Sequence, residues 1–273
     1  MDLSPYRSFI AELAERSGNF IRPYFAQPDL VVETKADDSP VTVADRGAEK
    51  LLRELIAQRF PTHGVIGEEF GSENPNADFV WVLDPIDGTR AFISNCFLFG
   101  TLIALERDDG EGFRPVLGCI AHAAPGVALI GHARETRLYA SDGSQRRARV
   151  RPCAQLEEAT LLATCHWTTG EQPGGAGIEG LIRRAKLYRT WGDCFGYFAL
   201  ASGGADIMID PTLMYWDAAA IIPVVEGAGG RVSAVDGGNP LTRLSLVATA
   251  GPLHQEVLAA LGSGSAPGLA TPR

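Results

Sequence analysis

The chain has 273 residues, of which 45% are hydrophobic, and it carries a formal net charge of −9 at pH 7. This length and composition predict a globular protein with a sizeable core. The acidic balance argues against nucleic acid or an anionic membrane as the main partner, since both bind basic surfaces. The first residues carry scattered charges and no apolar block, so we expect a cytoplasmic protein.

Two amphipathic helices are predicted before any long strand. The first covers residues 4 to 25, where Ser4 is expected to cap the helix and Pro5 to occupy its first position. The second runs from about Ala44 to Phe60, has apolar residues at helical spacing, and is ended by Pro61.

Apolar or alternating runs separated by turn residues follow, and they predict a mostly antiparallel sheet. Its predicted strands are Val65–Gly67 and the segments FVWVLD, LFGTLIALER, VLGCIAHAA, VALIGHA and RLYAS. After DGSQRRARVRP, strands and helices alternate, which is typical of an α/β unit. The strands there are LLATCH, KLYRTW, ADIMID, RVSAV and LVATA, with helices near IEGLIRRA, CFGYFALASG, DAAAIIPVVEGAG and LHQEVLAALG. We therefore predict an α+β half at residues 1–150, an α/β half at 151–262 and a flexible tail at 263–273.

Carboxylates stand at four places where a strand ends or a helix begins. They are Asp45 in PVTVAD, Glu68 and Glu69 in VIGEE, Asp84 and Asp87 in LDPIDGT, and Asp217 in MYWDAAA. Each alone fits a helix cap or a turn. If they converge, their repulsion costs several kcal/mol each at an effective dielectric of about 20, so divalent cations must lie between them. Oxygen ligands without His or Cys favour Mg²⁺ or Mn²⁺ over zinc.

The turn after FVWVLD has further features of a phosphate site. The acidic spacing differs from that of an EF-hand, which places its ligands at positions one, three and five of the loop. Pro85 keeps the chain extended and removes an N–H, so that the carbonyl of Ile86 can turn inward as a third oxygen ligand. Gly88 permits close backbone approach, and the segment after it can present N–H groups to an anion.

The segments VTVAD, GEE, WVLDPIDGT and WDAAA, in this order and at these separations, resemble the motif set of the inositol monophosphatase superfamily of Mg²⁺-dependent phosphomonoesterases. The similarity extends from the region of Lys35 to about Gly230. It implies a layered αβαβα sandwich, built from an α+β half and an α/β half, and assembly as a homodimer.

The resemblance also implies a role for each matched residue. One ion would bind Glu68, Asp84 and the Ile86 carbonyl, and a second Asp84, Asp87 and Asp217; a third, weaker ion would lie near Glu68, with Glu69 not a direct ligand. Thr89, hydrogen-bonded to Asp45, would orient and help deprotonate the attacking water. Lys35 would lie near the outer ion or the phosphate, although a solvated lysine is an equal alternative. Phosphate-ester hydrolysis with two ions agrees with these implied roles, because one ion activates the attacking water and the other neutralises the charge on the leaving oxygen.

Features near the substrate's organic part resemble the bacterial histidinol-phosphate phosphatase branch. They are the segments YRTWGDCFGY and DPTLMYWD, together with RAFISN after DGT where inositol-specific enzymes have an NF-type motif. Histidinol phosphate carries an ammonium and an imidazole, so its pocket should offer acidic acceptors. Asp193 and Asp210 are the candidates, with a helix cap as the alternative role for Asp193. The resemblance favours Asp210, which matches the family position that contacts the substrate's organic part, so Asp210→Asn is expected to weaken the hydrolysis of histidinol phosphate selectively. Arg189 ranks below them, as either a substrate contact or an ion-pair partner.

The sequence therefore predicts a phosphatase that hydrolyses L-histidinol phosphate with two or three Mg²⁺ ions. The predicted substrate-binding residues are Asp87, Gly88, Thr89, Arg189, Asp193, Asp210 and Asp217. Inositol 1-phosphate, another sugar phosphate or a nucleotide 3′-phosphate is the alternative substrate. A metal-binding module without catalysis is disfavoured because every matched catalytic residue is present, and the tight turn that holds the paired aspartates disfavours a glycosidase.

Overall fold

The computed structural model describes residues 2–36, 38–110, 112–165 and 174–262. The tail predicted at residues 263–273 lies outside the described residues. The described helices are α1 (Ser4–Ile21), α2 (Val43–Arg59), α3 (Thr89–Ile93), α4 (Gly175–Arg184), α5 (Asp193–Ala201), α6 (Tyr215–Gly227), α7 (Pro240–Arg243) and α8 (His254–Gly262).

Fifteen strands are described, and they form two sheets and a separate hairpin. The strands are β1 (Val32–Thr34), β2 (Pro40–Thr42), β3 (Gly64–Gly67), β4 (Gly71–Glu73), β5 (Phe79–Asp87), β6 (Gly100–Asp108), β7 (Phe113–His122), β8 (Val127–His132), β9 (Glu135–Ala140), β10 (Gln145–Ala148), β11 (Thr160–Ala163), β12 (Leu187–Arg189), β13 (Ile207–Asp210), β14 (Gly230–Ser233) and β15 (Leu246–Ala250). The hairpin pairs β1 with β2.

The larger sheet has the strand order β10-β9-β8-β7-β6-β5-β3-β4 and is antiparallel except where β3 pairs with β5. The smaller sheet has the order β12-β11-β13-β15-β14, with β11 parallel to both of its neighbours and the other pairs antiparallel. The predicted, mostly antiparallel N-terminal sheet is therefore observed. The boundary predicted near residue 150 falls between the two sheets in sequence, and the division into two halves stays a prediction.

Three hydrophobic clusters define the layers of the fold. The first lies between α1 and α2 and one face of the larger sheet, where Trp81 and Leu83 are fully buried. The second lies between the two sheets and is built around α5 and α6. The third packs the outer face of the smaller sheet against α4 and α8. Helix, sheet, helix, sheet and helix follow one another, so the predicted αβαβα sandwich is confirmed.

Helix α6 occupies the middle layer and is apolar around most of its circumference, as expected for a helix between two sheets. It approaches the larger sheet closely because glycines stand opposite it. A Cβ atom at Gly118 would lie 2.2 Å from the carbonyl oxygen of Ala220 and 2.7 Å from Cγ of Pro223. This contact fixes the height of α6 over the sheet, and with it the position of the acidic residue in its first turn.

Some sequence predictions at the element ends were wrong or incomplete. Ser4 is the first residue of α1 and not its cap; Leu3 takes the cap position, with no side-chain hydrogen bond. Residues 22–24 continue the helix as a single 3-10 turn. The short elements β1, β2, β4, β10 and α7 were not predicted, because three or four residues carry too little periodicity to be recognised.

No helix in the described part of the chain is both long enough and apolar enough to cross a bilayer.

We expect Gly118→Ala to destabilise the fold by about 1 to 3 kcal/mol, because the added methyl group meets backbone that cannot move aside cheaply. Its matched control is Gly180→Ala, an exposed position inside α4 where an added Cβ has no neighbour within 4 Å. The control should gain about 0.5 to 1 kcal/mol from reduced backbone entropy in the unfolded chain. Thermal unfolding followed by circular dichroism compares them, and a Gly118→Ala variant that melts at or above the control would contradict the close packing of α6.

Candidate active site

The site begins at a β-bulge near the end of β5. Asp84 pairs with Leu102 and Asp87 with Gly100 on β6, and the register shifts between them. A bulge leaves backbone groups without ladder partners, and the hydroxyl of Thr101 donates to the Pro85 carbonyl at 2.8 Å. The bulge thereby holds two aspartates on adjoining backbone at the edge of the core.

Three carboxylates converge at this point. Oxygen atoms of Asp84, Asp87 and Asp217 all lie within 4.8 Å of one another. Asp217 reaches the cluster from the first turn of α6, where its Oδ2 accepts a hydrogen bond of 2.8 Å from the amide of Met214. Residues far apart in sequence are therefore brought together by the packing of α6 on the larger sheet.

The electrostatics of the cluster disfavour three ionised carboxylates in the absence of a cation. Burial and the neighbouring negative charges raise the pKa values of Asp84 and Asp87 well above the ordinary value. Burial also raises the pKa of Asp217 to about 7, against the hydrogen bond from Met214, which lowers it. Asp84 is buried, and its Oδ1 has no hydrogen-bond partner among the residues that the structure describes. A buried carboxylate oxygen without a partner, inside an all-oxygen donor set, fits Mg²⁺ or Mn²⁺.

Thr89 and Asp45 lie beside the bulge. The Thr89 hydroxyl lies within hydrogen-bond distance of Oδ1 of Asp45, at 3.3 Å, and of the Ile86 carbonyl oxygen, at 3.0 Å. Asp45 is held from the other side by Thr42, whose amide and hydroxyl donate to its Oδ2 at 2.8 and 2.6 Å. Thr42 and Asp45 form the capping box of α2, so the helix start fixes the carboxylate that faces Thr89.

Lys35 bridges two glutamates at the outer edge of the site. Its Nζ lies 2.7 Å from Oε1 of Glu68 and 2.6 Å from Oε1 of Glu69. Partial burial lowers the pKa of Lys35, but the hydrogen bonds to both glutamates raise it, and the net shift is upward. Glu68 is also the largest of the charges that raise the pKa of Asp84. Among the described residues, the group of carboxylates close enough to share an ion consists of the three aspartates. Glu68 lies outside this group, but its charge raises the pKa of Asp84.

A cleft next to the cluster brings four aspartates together. It is lined by Asp87 and Asp217 and by the two candidate substrate residues, Asp193 and Asp210. The amide of Cys194 donates to Oδ2 of Asp87, which ties the start of α5 to the cluster. The cleft therefore combines two aspartates of the cluster with two further carboxylates, which we call the wall aspartates, Asp193 and Asp210.

The two wall aspartates differ in how much of each carboxylate is already engaged. Asp210, at the end of β13, accepts from the Tyr197 hydroxyl at 2.8 Å and from the Thr164 amide at 3.3 Å. Burial raises the pKa of Asp210 to about 6. Asp193 is half-buried; its backbone amide donates to the Thr164 hydroxyl at 2.8 Å, and no hydrogen bond to its carboxylate is found within the described ranges. Its carboxylate is the more available of the two.

The alternative role of Asp193 as a helix cap was wrong. Gly192 takes the cap position of α5, and no side chain caps the helix. Asp193 has a φ of +48°, a conformation that is uncommon for a residue with a side chain and is often found at functional sites. Its carboxylate packs against Gly88, where a Cβ atom would lie 2.9 Å from Oδ2 of Asp193. Gly88 itself has a φ of +79°.

Arg189 lies away from these groups. It is exposed on the edge strand β12, and its Nη1 donates to the Tyr188 carbonyl at 2.7 Å. It does not line the cleft that holds Asp193 and Asp210. A substrate contact by Arg189 stays a prediction.

Sequence reasoning missed several groups that complete the site. Tyr197 resembles a core aromatic residue in the helical pattern of α5, although its hydroxyl orients Asp210. Thr164 follows β11 and serves both wall aspartates, through its amide and its hydroxyl. Cys194 contributes through its backbone amide, which no side-chain pattern could indicate.

Comparisons with known proteins find a matching family, similar sequences and a similar structure. A model described as the inositol monophosphatase family matches residues 2–265. A histidinol-phosphatase of Chlorobaculum parvum is 34% identical over 96% of this chain and 98% of its own. A histidinol-phosphatase of Mycobacterium tuberculosis is 36% identical over 92% and 96%. The solved structure of an inositol monophosphatase from Zymomonas mobilis is 34% identical and superposes with a TM-score of 0.81 over 96% of this chain and 99% of that one.

We expect Asp87→Asn to leave the fold intact and to weaken divalent-ion binding. In EDTA the variant should melt at or above the wild type, because one of three repelling carboxylates is gone. Mg²⁺ should raise the free energy of unfolding of the variant by less than that of the wild type. The expected difference is ~1.4 kcal/mol or more, which corresponds to a tenfold or greater loss of affinity. Asp78→Asn, an exposed substitution with the same charge change, is the control. Equal Mg²⁺-induced shifts in the melting temperatures of Asp87→Asn and wild type would contradict the ion site.

Proposed function

Because the chain belongs to the inositol monophosphatase family, we propose that it is a Mg²⁺-dependent phosphomonoesterase that hydrolyses L-histidinol phosphate to L-histidinol and phosphate. The observation that carries the proposal is the cluster of the buried Asp84 and the half-buried Asp87 and Asp217, with one unpartnered oxygen on Asp84 among the described residues, next to a cleft that is also lined by Asp193 and Asp210. The named relatives and the site chemistry both support hydrolysis of a phosphoric monoester.

The proposed ions would supply two effects when bound. Divalent ions held by the triad, Glu68 and the Ile86 carbonyl would lower the pKa of the attacking water and neutralise charge on the phosphoryl and leaving oxygens. The all-oxygen donor set supports Mg²⁺, with Mn²⁺ as a substitute of similar preference.

Thr89 is proposed to position the attacking water. Its hydroxyl has one proton, which can be donated to Asp45 or to the Ile86 carbonyl but not to both at once. The hydroxyl oxygen then accepts a hydrogen bond from a water molecule between Thr89 and the cluster. When the water transfers its proton to the Thr89 hydroxyl oxygen, the hydroxyl proton of Thr89 passes to Asp45, which Thr42 holds in place.

The choice of substrate rests on the charge of the cleft, because overall similarity does not decide it. A histidinol-phosphatase and an inositol monophosphatase are both 34% identical to this chain. Inositol phosphate is a neutral polyol apart from its phosphate, whereas histidinol phosphate also presents an ammonium and an imidazole. A wall with two carboxylates favours the substrate that carries the cation.

Asp193 is proposed as the acceptor for the ammonium group of the substrate. Both oxygens of Asp210 already accept hydrogen bonds from Tyr197 and Thr164, whereas the Asp193 carboxylate faces the cleft beside Gly88. Asp210 then shapes the wall and adds negative potential.

Inositol 1-phosphate, or another sugar or nucleotide 3′-phosphate, is the second candidate substrate, supported by the similarity to the Zymomonas mobilis enzyme. Assembly as a homodimer, which the family resemblance alone supports, and a cytoplasmic location complete the proposal.

We expect phosphate release to depend strictly on a divalent ion. Exhaustive EDTA treatment followed by dialysis should abolish turnover of L-histidinol phosphate, and Mg²⁺ or Mn²⁺ should restore it. Turnover is measured as inorganic phosphate released, for L-histidinol phosphate, inositol 1-phosphate and a nucleotide 3′-phosphate. Full activity of the EDTA-treated protein would exclude the mechanism. A wild type that prefers inositol 1-phosphate would establish the second candidate.

We expect Asp193→Asn to lower kcat/KM for L-histidinol phosphate about ten- to a hundredfold, the loss of one charge-assisted contact of roughly 1.5 to 3 kcal/mol. Inositol 1-phosphate serves as the internal control and should change much less, since the ion site treats both esters alike. Asp210→Asn should show a smaller selective loss, because Asp210 already accepts two internal hydrogen bonds. Equal losses for both substrates in Asp193→Asn would remove the case for a cation-binding wall.

A further inference from the structure

Glu49 is a fully buried carboxylate on α2 that accepts hydrogen bonds from the segment that carries Glu68 and Glu69. It lies one helical turn after Asp45, on the same side of α2. Helix α2 therefore carries two buried carboxylates, Asp45 and Glu49. Asp45 contacts Thr89, whereas Glu49 contacts the 68–70 turn.

Residues 68–70 form the turn between β3 and β4, and turn amides lack ladder partners. The strands close at the pair Gly67 and Gly71, so the amides between them need other acceptors. Oε2 of Glu49 accepts from the amide of Glu69 at 2.7 Å, and Oε1 accepts from the amide of Phe70 at 3.2 Å. A single buried carboxylate thus satisfies two consecutive backbone donors.

Arg53 holds Glu49 and the far side of the same turn. Its Nε donates to Oε1 of Glu49 at 2.8 Å, and its Nη2 donates to the carbonyl of Gly71. Gly67 leaves the room for this arrangement, because a Cβ atom there would lie 2.0 Å from Oε1 of Glu49. Two side chains of α2 therefore hold the turn: Glu49 accepts hydrogen bonds from its amides, and Arg53 donates to the carbonyl at its far end.

We propose that Glu49 is a positioning residue that holds the 68–70 turn so that the Glu68 carboxylate stays beside Asp84 for ion binding. The inference rests on the proposed function, since it assumes that divalent ions bind this cluster. Glu68 is the negative charge that acts most strongly on Asp84, and its amide donates to the Leu83 carbonyl of β5 at 3.1 Å. Lys35 holds the side chains of Glu68 and Glu69, whereas Glu49 and Arg53 hold the backbone of the turn. Groups that orient ligands in this way typically contribute 10- to 100-fold to metal affinity.

The test measures Mn²⁺ binding directly, by electron paramagnetic resonance of the free ion without substrate. Glu49→Asp keeps the charge but shortens the reach to the two amides, and Glu49→Gln keeps the length but removes the charge. Both should raise the dissociation constant about tenfold, and the Mg²⁺ concentration for half-maximal activity should rise in parallel. At saturating Mg²⁺, kcat and the KM for the phosphate ester should stay within about twofold of wild type, since the reacting groups are untouched.

Glu54 provides matched controls, because it is exposed on the same helix and permits the same two changes, Glu54→Asp and Glu54→Gln. Both should bind Mn²⁺ as the wild type does. Wild-type binding by Glu49→Asp, with weakening only in Glu49→Gln, would show an effect of charge alone and overturn the positioning role. A wild type that binds no Mn²⁺ would instead overturn the proposed function.

Arg53→Gln keeps the inference testable if both Glu49 variants fail to fold. Removing a positive charge near the cluster should by itself tighten cation binding, whereas loosening the turn should weaken it. We expect a threefold or greater rise in the Mn²⁺ dissociation constant, and an unchanged or lower constant overturns the proposal.

Discussion

The repulsion among three closely placed carboxylates is the interaction on which the arrangement of the site depends. Asp84, Asp87 and Asp217 lie within 4.8 Å of one another, largely removed from water, and their pKa values are raised accordingly. Such a group of charges is unfavourable in any fold unless rigid elements hold it and a cation offsets it. The bulge in β5 and the capped start of α6 supply that rigidity, because each fixes its aspartate through backbone hydrogen bonds.

Two helices connect this cluster to the rest of the protein in different ways. Helix α6 brings one aspartate of the cluster from the middle layer and is fixed by packing at glycines of the larger sheet. Helix α2 contributes none of the three clustered aspartates, but its buried Asp45 and Glu49 bind Thr89 and the 68–70 turn. The ion-binding groups are thus oriented partly by hydrophobic packing and partly by buried hydrogen bonds, and these two kinds of support respond differently to mutation.

Much of the fold, and the convergence of Asp84, Asp87 and Asp217, could be predicted from the sequence because the motifs are local. The run from Asp84 to Thr89 predicts its own turn, and the segments with Asp45 and Asp217 are recognisable helix starts. Tertiary roles were not predictable in the same way. Glu49 resembles any charged residue on an amphipathic helix, and its full burial is decided by a turn that lies 20 positions further along the chain.

The wall of the cleft shows the same limit. The sequence favoured Asp210 over Asp193 as the substrate contact, whereas in the structure Tyr197 and Thr164 already engage the Asp210 carboxylate. The cap role considered for Asp193 depended on a standard helix start, whereas the chain enters α5 through Gly192 and a left-handed Asp193. Backbone geometry of this kind arises from packing between elements and leaves no periodic signal.

The position of α6 in the chain has a consequence for synthesis on the ribosome. The strands of the larger sheet end at Ala148, and α6 begins only at Tyr215. A nascent chain can complete that sheet while the face that α6 will cover is still open, and the paired aspartates then lack their third partner. The apolar face and the acidic pair remain uncovered by α6 until that helix emerges, so the cluster of three aspartates is completed only late in translation.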